Sequence, residues 1–279
     1  MSELTIVIVS YNTRTDLDRC LSKFTTDPPA LPHDIVVVDN ASSDGSAEAV
    51  RTGWPSVTLV ESGDNLGFAR AVNRGLAETE SRLVLLLNPD ALPTGGAVDH
   101  LVAVLQEEPG AAVVGPRLVD GEGRLEISFG PMLSPSAEIW QKLLRVGHAR
   151  RLPLLAWLAD RRAARRRDVD WVSGACLLVS RAALDAAGGL DERFFLYTED
   201  VDLCASIRAG GGRVIFTPEV EVRHRRGQSR RHDPAHAQDA YRRSHLAFYA
   251  KHHPRLHWLL RFYLRLRGQL PAASQEPPG

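Results

Sequence analysis

Leu83-Val84-Leu85-Leu86-Leu87-Asn88-Pro89-Asp90 is the stretch that decides the fold. Five apolar residues run without a break into Asn-Pro-Asp. Such a run, closed by a turn signal, is the pattern of a strand covered on both faces, as in the middle of a parallel sheet. Pro89 has no N–H to give to a ladder, so the strand stops there. Asp90 then falls just outside the carboxyl end of a central strand, where open α/β sheets place their ligands. A carboxylate there can hold a divalent cation, and the cation a diphosphate. Taken alone, the eight residues are equally readable as a strand followed by a plain turn, with Asp as a turn former.

Upstream, residues 4–9 read as a β-branched strand that ends in Ser10-Tyr11-Asn12, and residues 16–24 as a helix with Leu17, Cys20, Leu21 and Phe24 on one side. Residues 34–38 form a second strand, ending in Asp39-Asn40. Ser43 or Asp44 caps a helix that runs to Val50. A short strand at 57–60, the segment Asn65-Leu66-Gly67-Phe68 and a helix over 69–78 lead back to Leu83. This alternation of strands and helices predicts βαβ units and an α/β fold, mainly parallel, with helices on both faces.

Downstream the pattern predicts a helix at 97–106 and strands at 112–115 and 124–128. Residues 134–168 mix Leu and Trp with many arginines and read as a helical insertion. Residues 170–179 restore the core pattern, with a turn or bulge at Gly174. A short helix at 181–187 follows, and then Glu199-Asp200-Val201-Asp202 opens a helix that runs to 209. Strands at 213–216 and 220–224 precede a long helical segment, 239–267, with a break at Pro254; the final 269–279 reads as disordered. The resulting division is a domain over 1–232, a basic amphipathic extension over 233–268, and a tail.

The bulk numbers exclude more than they assign. Lys plus Arg (34) and Asp plus Glu (34) cancel, but the basic residues are nearly all Arg and crowd into the second half. Cys20, Cys176 and Cys204 stand far apart without CxxC spacing, which argues for a reducing compartment and against a disulfide framework or a zinc site. The N-terminus has no basic n-region, and no apolar run nears the ~20 residues that span a bilayer. A cytoplasmic protein, able to lie on the inner face of the plasma membrane, is expected. No Gly-x-Gly-x-x-Gly follows the first strand and there is no Walker lysine loop, so dinucleotide dehydrogenases and P-loop NTPases are disfavoured.

Three strands in order end in polar groups: Ser10-Tyr11-Asn12, Asp39-Asn40 and Asn88-Pro89-Asp90. In a parallel sheet these ends share one edge. A nucleotide suits that edge, with Asp39 accepting from a base N–H or a ribose hydroxyl and Asp90 facing a metal on the diphosphate. These motifs, together with Asn65-Leu66-Gly67-Phe68-Ala69-Arg70-Ala71-Val72-Asn73-Arg74-Gly75, resemble the inverting family 2 glycosyltransferases. Phe194-Phe195-Leu196-Tyr197-Thr198-Glu199-Asp200-Val201-Asp202-Leu203 and His224-Arg225-Arg226-Gly227-Gln228-Ser229 resemble motifs of the rhamnosyltransferase-like subgroup. The likeness covers residues 4–229.

The resemblance implies a GT-A fold, a dTDP- or UDP-linked sugar donor, a divalent cation (Mn²⁺ or Mg²⁺), and a saccharide or polyprenyl-linked acceptor in cell-wall or surface glycan synthesis. By position, Ser10, Tyr11, Asn12, Asp39, Asn65, Gly67, Asn88 and Asp90 would contact the nucleotide sugar. Asn88 stands where the family usually has an acid, leaving Asp90 as the main metal carboxylate and His224 as its partner. Asp200 would be the general base; Trp171, Ser173, Gly174 and Glu199 would line the acceptor side. The ordinary alternative for 199–202 is helix N-terminal charge opposing the macrodipole. Two other functions stay open: a nucleotide-sugar-binding scaffold at the membrane with weak catalysis, which Asn88 keeps in play, and a nucleotidyltransferase. The Arg-rich helices fit peripheral contact with an anionic membrane; packing on the core or a homodimer surface competes with it, and no nucleic-acid motif is present.

Overall fold

The computed structural model describes residues 2–225 and 234–271, with side chains in the last segment from 237 onward. Strand β1 (Leu4–Ser10) leads through helix α1 (Arg14–Thr26) to β2 (His33–Asp39), α2 (Ser46–Gly53), β3 (Thr58–Glu61), α3 (Phe68–Leu76) and β4 (Leu83–Leu87). These four strands pair in parallel in the order β3-β2-β1-β4. All five residues of β4 are buried, as an uninterrupted apolar run demands, and β1 is buried throughout. Alternate residues of β1 and β4 feed two cores, one on each side of the sheet.

The second half of the sheet is mixed. β5 (Ala91–Pro93), α4 (Ala97–Glu107), β6 (Ala111–Val119), β7 (Leu125–Glu126) and β8 (Phe129–Gly130) follow β4. Then come α5 (Pro135–Ala149), α6 (Pro153–Arg162), β9 (Arg167–Val169), β10 (Trp171–Val172), β11 (Cys176–Ser180) and α7 (Arg181–Ala186). α8 (Glu199–Ala209), β12 (Arg213–His224), α9 (Pro234–His252) and α10 (Pro254–Leu266) complete the chain. β11 inserts between β4 and β6 and runs antiparallel to both, while β6 and β12 are parallel. β8 and β10 form a separate two-stranded ribbon.

Three sequence expectations change here. The strands expected at 213–216 and 220–224 are one strand whose pairing with β6 shifts register between Thr217 and Glu221. The strand expected at 124–128 becomes β7 and the start of the approach to β8, because the chain leaves one sheet for the ribbon. β5 and β9 carry too few residues for a readable pattern. Pro254 breaks the final helix as expected, since its ring cannot continue α9 but suits the first turn of α10. Gly227 and Ser229, and residues 272–279 of the expected tail, lie outside the described residues.

The C-terminal helices are not a loose appendage. Lys251 donates to both Asp191 and Asp202 (2.8 Å each), and His252 Nε2 lies 2.6 Å from the other oxygen of Asp202, which is buried. Glu138 of α5 accepts from the Tyr249 hydroxyl (2.6 Å) and faces His245 Nε2 (3.0 Å). Phe248 and Tyr249 join Phe194 and Val201 in a third small core. The Arg193 guanidinium, then the Lys251 ammonium, hold the Asp191 carboxyl far below its ordinary value. Burial pushes the Glu138 carboxyl up, but His245 and Tyr249 outweigh it and hold it below the usual glutamate range.

Both carboxyls are therefore depressed in the folded state. Their stabilisation is full above the unfolded values, about 4, and is lost as pH falls through the folded ones. Acid should loosen α9 before the parallel half of the sheet. Hydrogen exchange followed downward from about pH 5 should show protection vanishing first in 237–252; loss in step with β1 and β4 would contradict this latch.

Candidate active site

The edge at the carboxyl ends of the parallel strands is assembled by register. Ser10 pairs with Asp39, and Ile8 with Leu87, so the ends of β1, β2 and β4 lie side by side. Asp39 is buried: one carboxylate oxygen accepts from the Ser42 N–H (3.0 Å), and the other, Oδ1, has no partner. A buried carboxylate oxygen left this way is costly unless a ligand donates to it. Beside it, Asn40 Nδ2 donates to Asn65 Oδ1 (2.9 Å), and Asn40 Oδ1 accepts from the Leu66 N–H (2.9 Å). Asn65 also accepts from the Gly67 N–H (3.1 Å). Asn40, which sequence reasoning left out of the site, thus holds Asn65 in place; its position directly after Asp39 at a strand end was the signal.

Ser10 is buried against the Thr13 hydroxyl (2.9 Å) and Asn12 is tied to Ser42 and Ser43, so both brace the loop, whereas Tyr11 is exposed beside them. Gly67 has φ +79°, and a Cβ there would lie 2.4 Å from the Phe195 carbonyl oxygen. The Phe68 N–H donates to that same carbonyl (2.7 Å), which docks the loop of Asn65 and Gly67 onto the segment before α8. Gly67→Ala should lower stability by about 2–4 kcal/mol, through a positive φ and a backbone clash that no rotamer relieves. A urea titration measures it; a loss within experimental error would mean that this approach is not tight.

β4 ends in a turn in which the Ala91 N–H donates to the Asn88 carbonyl (3.0 Å). The chain then returns as β5, pairing with β12 so that Ala91 lies opposite His224. That pairing brings Asp90 and His224 together, 3.3 Å from Oδ1 to Nε2. On the other ring nitrogen, Nδ1 lies 3.1 Å from Glu126. Burial alone pushes the imidazole pKa down, but Asp90 and Glu126 reverse this and hold it up at about 9. Glu126, unforeseen in the sequence, is a buried acid in a two-residue strand. Among the described residues no three His, Cys, Asp or Glu side chains converge on one point as a metal cage, since Glu126 sits on the far side of the ring. Asp90 and His224 nevertheless present one oxygen and, once the proton on Nε2 is displaced, one nitrogen, a donor pair that fits Mn²⁺ with remaining ligands drawn from phosphate and water.

The acceptor-side residues reach the same edge because β11 is antiparallel. Cys176 pairs with Leu87, so the residues before β11 fall next to the end of β4, and the Asn88 N–H donates to the Ala175 carbonyl (3.0 Å). One residue earlier, the Gly174 N–H donates to Asp200 Oδ2 (2.8 Å); Asp200 Oδ1 accepts from the Val201 N–H (2.8 Å). A Cβ at Gly174 would stand 3.2 Å from that of Asp200. Tyr197 and Thr198 turn the chain into α8 with φ of 68° and 73°, a costly conformation for residues with side chains and one that concentrates at functional sites. Burial raises the Asp200 carboxyl, despite these N–H donors, and raises Glu199 well above its ordinary value, with the Asp200 charge adding to the effect. Glu199 Oε2 is buried without a hydrogen-bond partner. Ser173 donates its N–H to the Ser128 carbonyl (2.8 Å), and the Trp171 indole donates to the Pro131 carbonyl (2.9 Å). Trp171 is thereby fixed in the ribbon, between the second and third cores.

Residues 5–174 match the model of the family described as "Glycosyl transferase family 2". The chain is 32% identical, over 97% of its own length and 93% of the relative's, to a Mycobacterium tuberculosis protein named N-acetylglucosaminyl-diphospho-decaprenol L-rhamnosyltransferase. It is 26% identical to a Haloferax volcanii low-salt glycan biosynthesis hexosyltransferase, Agl10, covering 75% of this chain and 62% of that one. Among solved structures, the mannosyltransferase PcManGT of Pyrobaculum calidifontis, in complex with GDP-Man and Mn²⁺, superposes with a TM-score of 0.60 at 21% identity, over 95% of this chain and 70% of that one. The chain belongs to glycosyltransferase family 2, and its fold is GT-A.

Proposed function

We propose that the protein is a metal-dependent, inverting transferase that moves rhamnose from a dTDP- or UDP-linked donor to a polyprenyl-diphosphate-linked saccharide in cell-wall or surface glycan synthesis. The observation that carries the reaction class is the short path from donor edge to base. Asn88 binds Ala175, and Gly174 binds the Asp200 carboxylate. The mycobacterial relative supports the sugar and the acceptor.

Asp39, with its unpartnered oxygen, accepts from the nucleoside, and Asn65, fixed by Asn40, borders the same pocket. Asp200 takes the proton from the acceptor hydroxyl, whose oxygen attacks the anomeric carbon as the diphosphate leaves. One displacement gives inversion. The raised carboxyl suits a base, since a proton acceptor works best with a pKa nearer the working pH. Asp90 and His224 would hold a divalent cation, which when bound neutralises charge on the diphosphate. Glu126 fixes the ring orientation so that Nε2 points toward Asp90.

Calorimetry with a panel of nucleotide sugars, in Mn²⁺, Mg²⁺ and EDTA, tests the reading. One donor should bind, with metal only; failure of every donor in all three conditions would overturn it, and binding that persists in EDTA would remove the metal assignment. Glu126→Gln should weaken Mn²⁺ affinity about 10- to 100-fold. A Mn²⁺ titration followed by electron paramagnetic resonance reads this directly, and an unchanged affinity would deny Glu126 its orienting role.

A further inference from the structure

We propose that the exposed faces of α5, α6 and α10 form a docking surface for an anionic lipid bilayer. It rests on the preceding reading only for its purpose, to reach a lipid-linked acceptor; the surface itself is argued from its own residues. Among the described residues, every exposed large apolar side chain except Tyr11 and Tyr241 lies on these helices or at the α5–α6 junction. Leu154 (67% exposed), Trp157 (52%), Trp258 (66%) and Leu266 (73%) are typical. Scattered exposed leucines need no explanation, but apolar exposure concentrated on a few elements marks an interaction surface.

α10 shows the pattern most clearly. Leu259, Phe262, Tyr263 and Leu266 recur at three- and four-residue intervals and share a face, all exposed. The helix buries only Leu264. Arg255, Arg261, Arg265 and Arg267 are interleaved with the apolar residues, and no acid occurs from residue 240 to 271. α5 and α6 carry one acid each, and both are engaged: Glu138 with His245 and Tyr249, Asp160 with His148 (3.3 Å). No helix among the described residues is long and apolar enough to cross a bilayer, so the matching geometry is a helix lying in the headgroup plane.

Charge selects the occupant. Two copies of an Arg-rich, acid-poor face repel each other, whereas anionic headgroups complement it. The surface is also tied to the site. His253, at the start of α10, binds the Leu133 carbonyl (2.7 Å) just before α5. That segment continues from the β8–β10 ribbon, whose Trp171 leads into Ser173 and Gly174. Docking through these helices therefore anchors the floor whose Gly174 N–H holds the Asp200 carboxylate.

Sedimentation with vesicles of phosphatidylglycerol and phosphatidylcholine, against phosphatidylcholine alone, tests this with no donor or acceptor present. The protein should partition onto the anionic vesicles and be released by salt. The triple variant W258S/F262S/L266S should bind more than about tenfold more weakly, as should R261E/R265E. Donor binding and melting temperature should be unchanged in both, because these side chains face solvent. Absence of binding, equal binding to neutral vesicles, or wild-type binding by both variants would overturn the proposal. So would a dimer that dissociates in the triple variant without any vesicle binding, which would give the face to a second copy. Donor calorimetry is independent of lipid, so either reading can fail alone.

Discussion

Asp200→Asn should lower kcat for sugar transfer about 10³-fold while leaving donor affinity within about twofold. Asparagine keeps the volume, and its amide oxygen can still accept from Gly174 or Val201, so the turn into α8 survives. What disappears is the carboxylate proposed to take the acceptor proton. Because burial raises the Asp200 carboxyl, wild-type activity should climb with pH along a limb lying above the ordinary aspartate range of about 4, and the variant should lack that limb. The substitution also replaces a carboxylate that burial disfavours with a neutral amide, so Tm should rise, by about 2 °C. A variant that keeps kcat within tenfold, with the same pH limb, would move the base elsewhere, Glu199 being the nearest candidate.

Asp90→Ala should abolish metal-dependent donor binding and lower kcat/KM by about 10²-fold or more. Among the described residues it has no understudy: Asn88 offers at best a neutral carbonyl oxygen, and Glu126 is on the far side of the His224 ring. The effect differs in kind from that at Asp200. Loss of Asp90 should appear as weak donor binding in Mn²⁺, no stronger than wild type in EDTA, whereas loss of Asp200 appears in kcat alone. Calorimetry on the two variants separates them. Tight Mn²⁺-dependent binding by Asp90→Ala would show that the cation is held by other groups.

Much of this arrangement was legible in the sequence because parallel sheets are written in long apolar runs. Leu83 to Leu87 reads as a covered strand, and the polar ends of the first, second and fourth strands share one edge in a parallel sheet. The Asp200 segment was legible as helix-opening acids, but its approach to the donor edge was not. It depends on β11 running antiparallel beside β4, and nothing in 176–180 shows direction. Glu126 was missed because an acid in a short strand reads as solvent-facing; its burial comes from β12 and His224, nearly a hundred residues later in the chain. The final helices read alike as basic and amphipathic, yet they divide. α9 packs because Asp202, Asp191 and Glu138 await Lys251, His252, His245 and Tyr249, a pairing that only the folded chain displays. Among the described residues, α10 packs through Leu260 and Leu264 but leaves Trp258, Leu259, Phe262, Tyr263 and Leu266 exposed.

The most direct test of the central claim is release of nucleoside diphosphate on mixing dTDP-rhamnose, Mn²⁺ and a polyprenyl-diphosphate-linked N-acetylglucosamine, with the configuration of the product read by NMR. Acceptor-dependent dTDP release and an inverted anomeric centre in the product are expected, with both lost in Asp200→Asn. Release that is indifferent to acceptor, retention of configuration, or no turnover by a protein that binds the donor would contradict it.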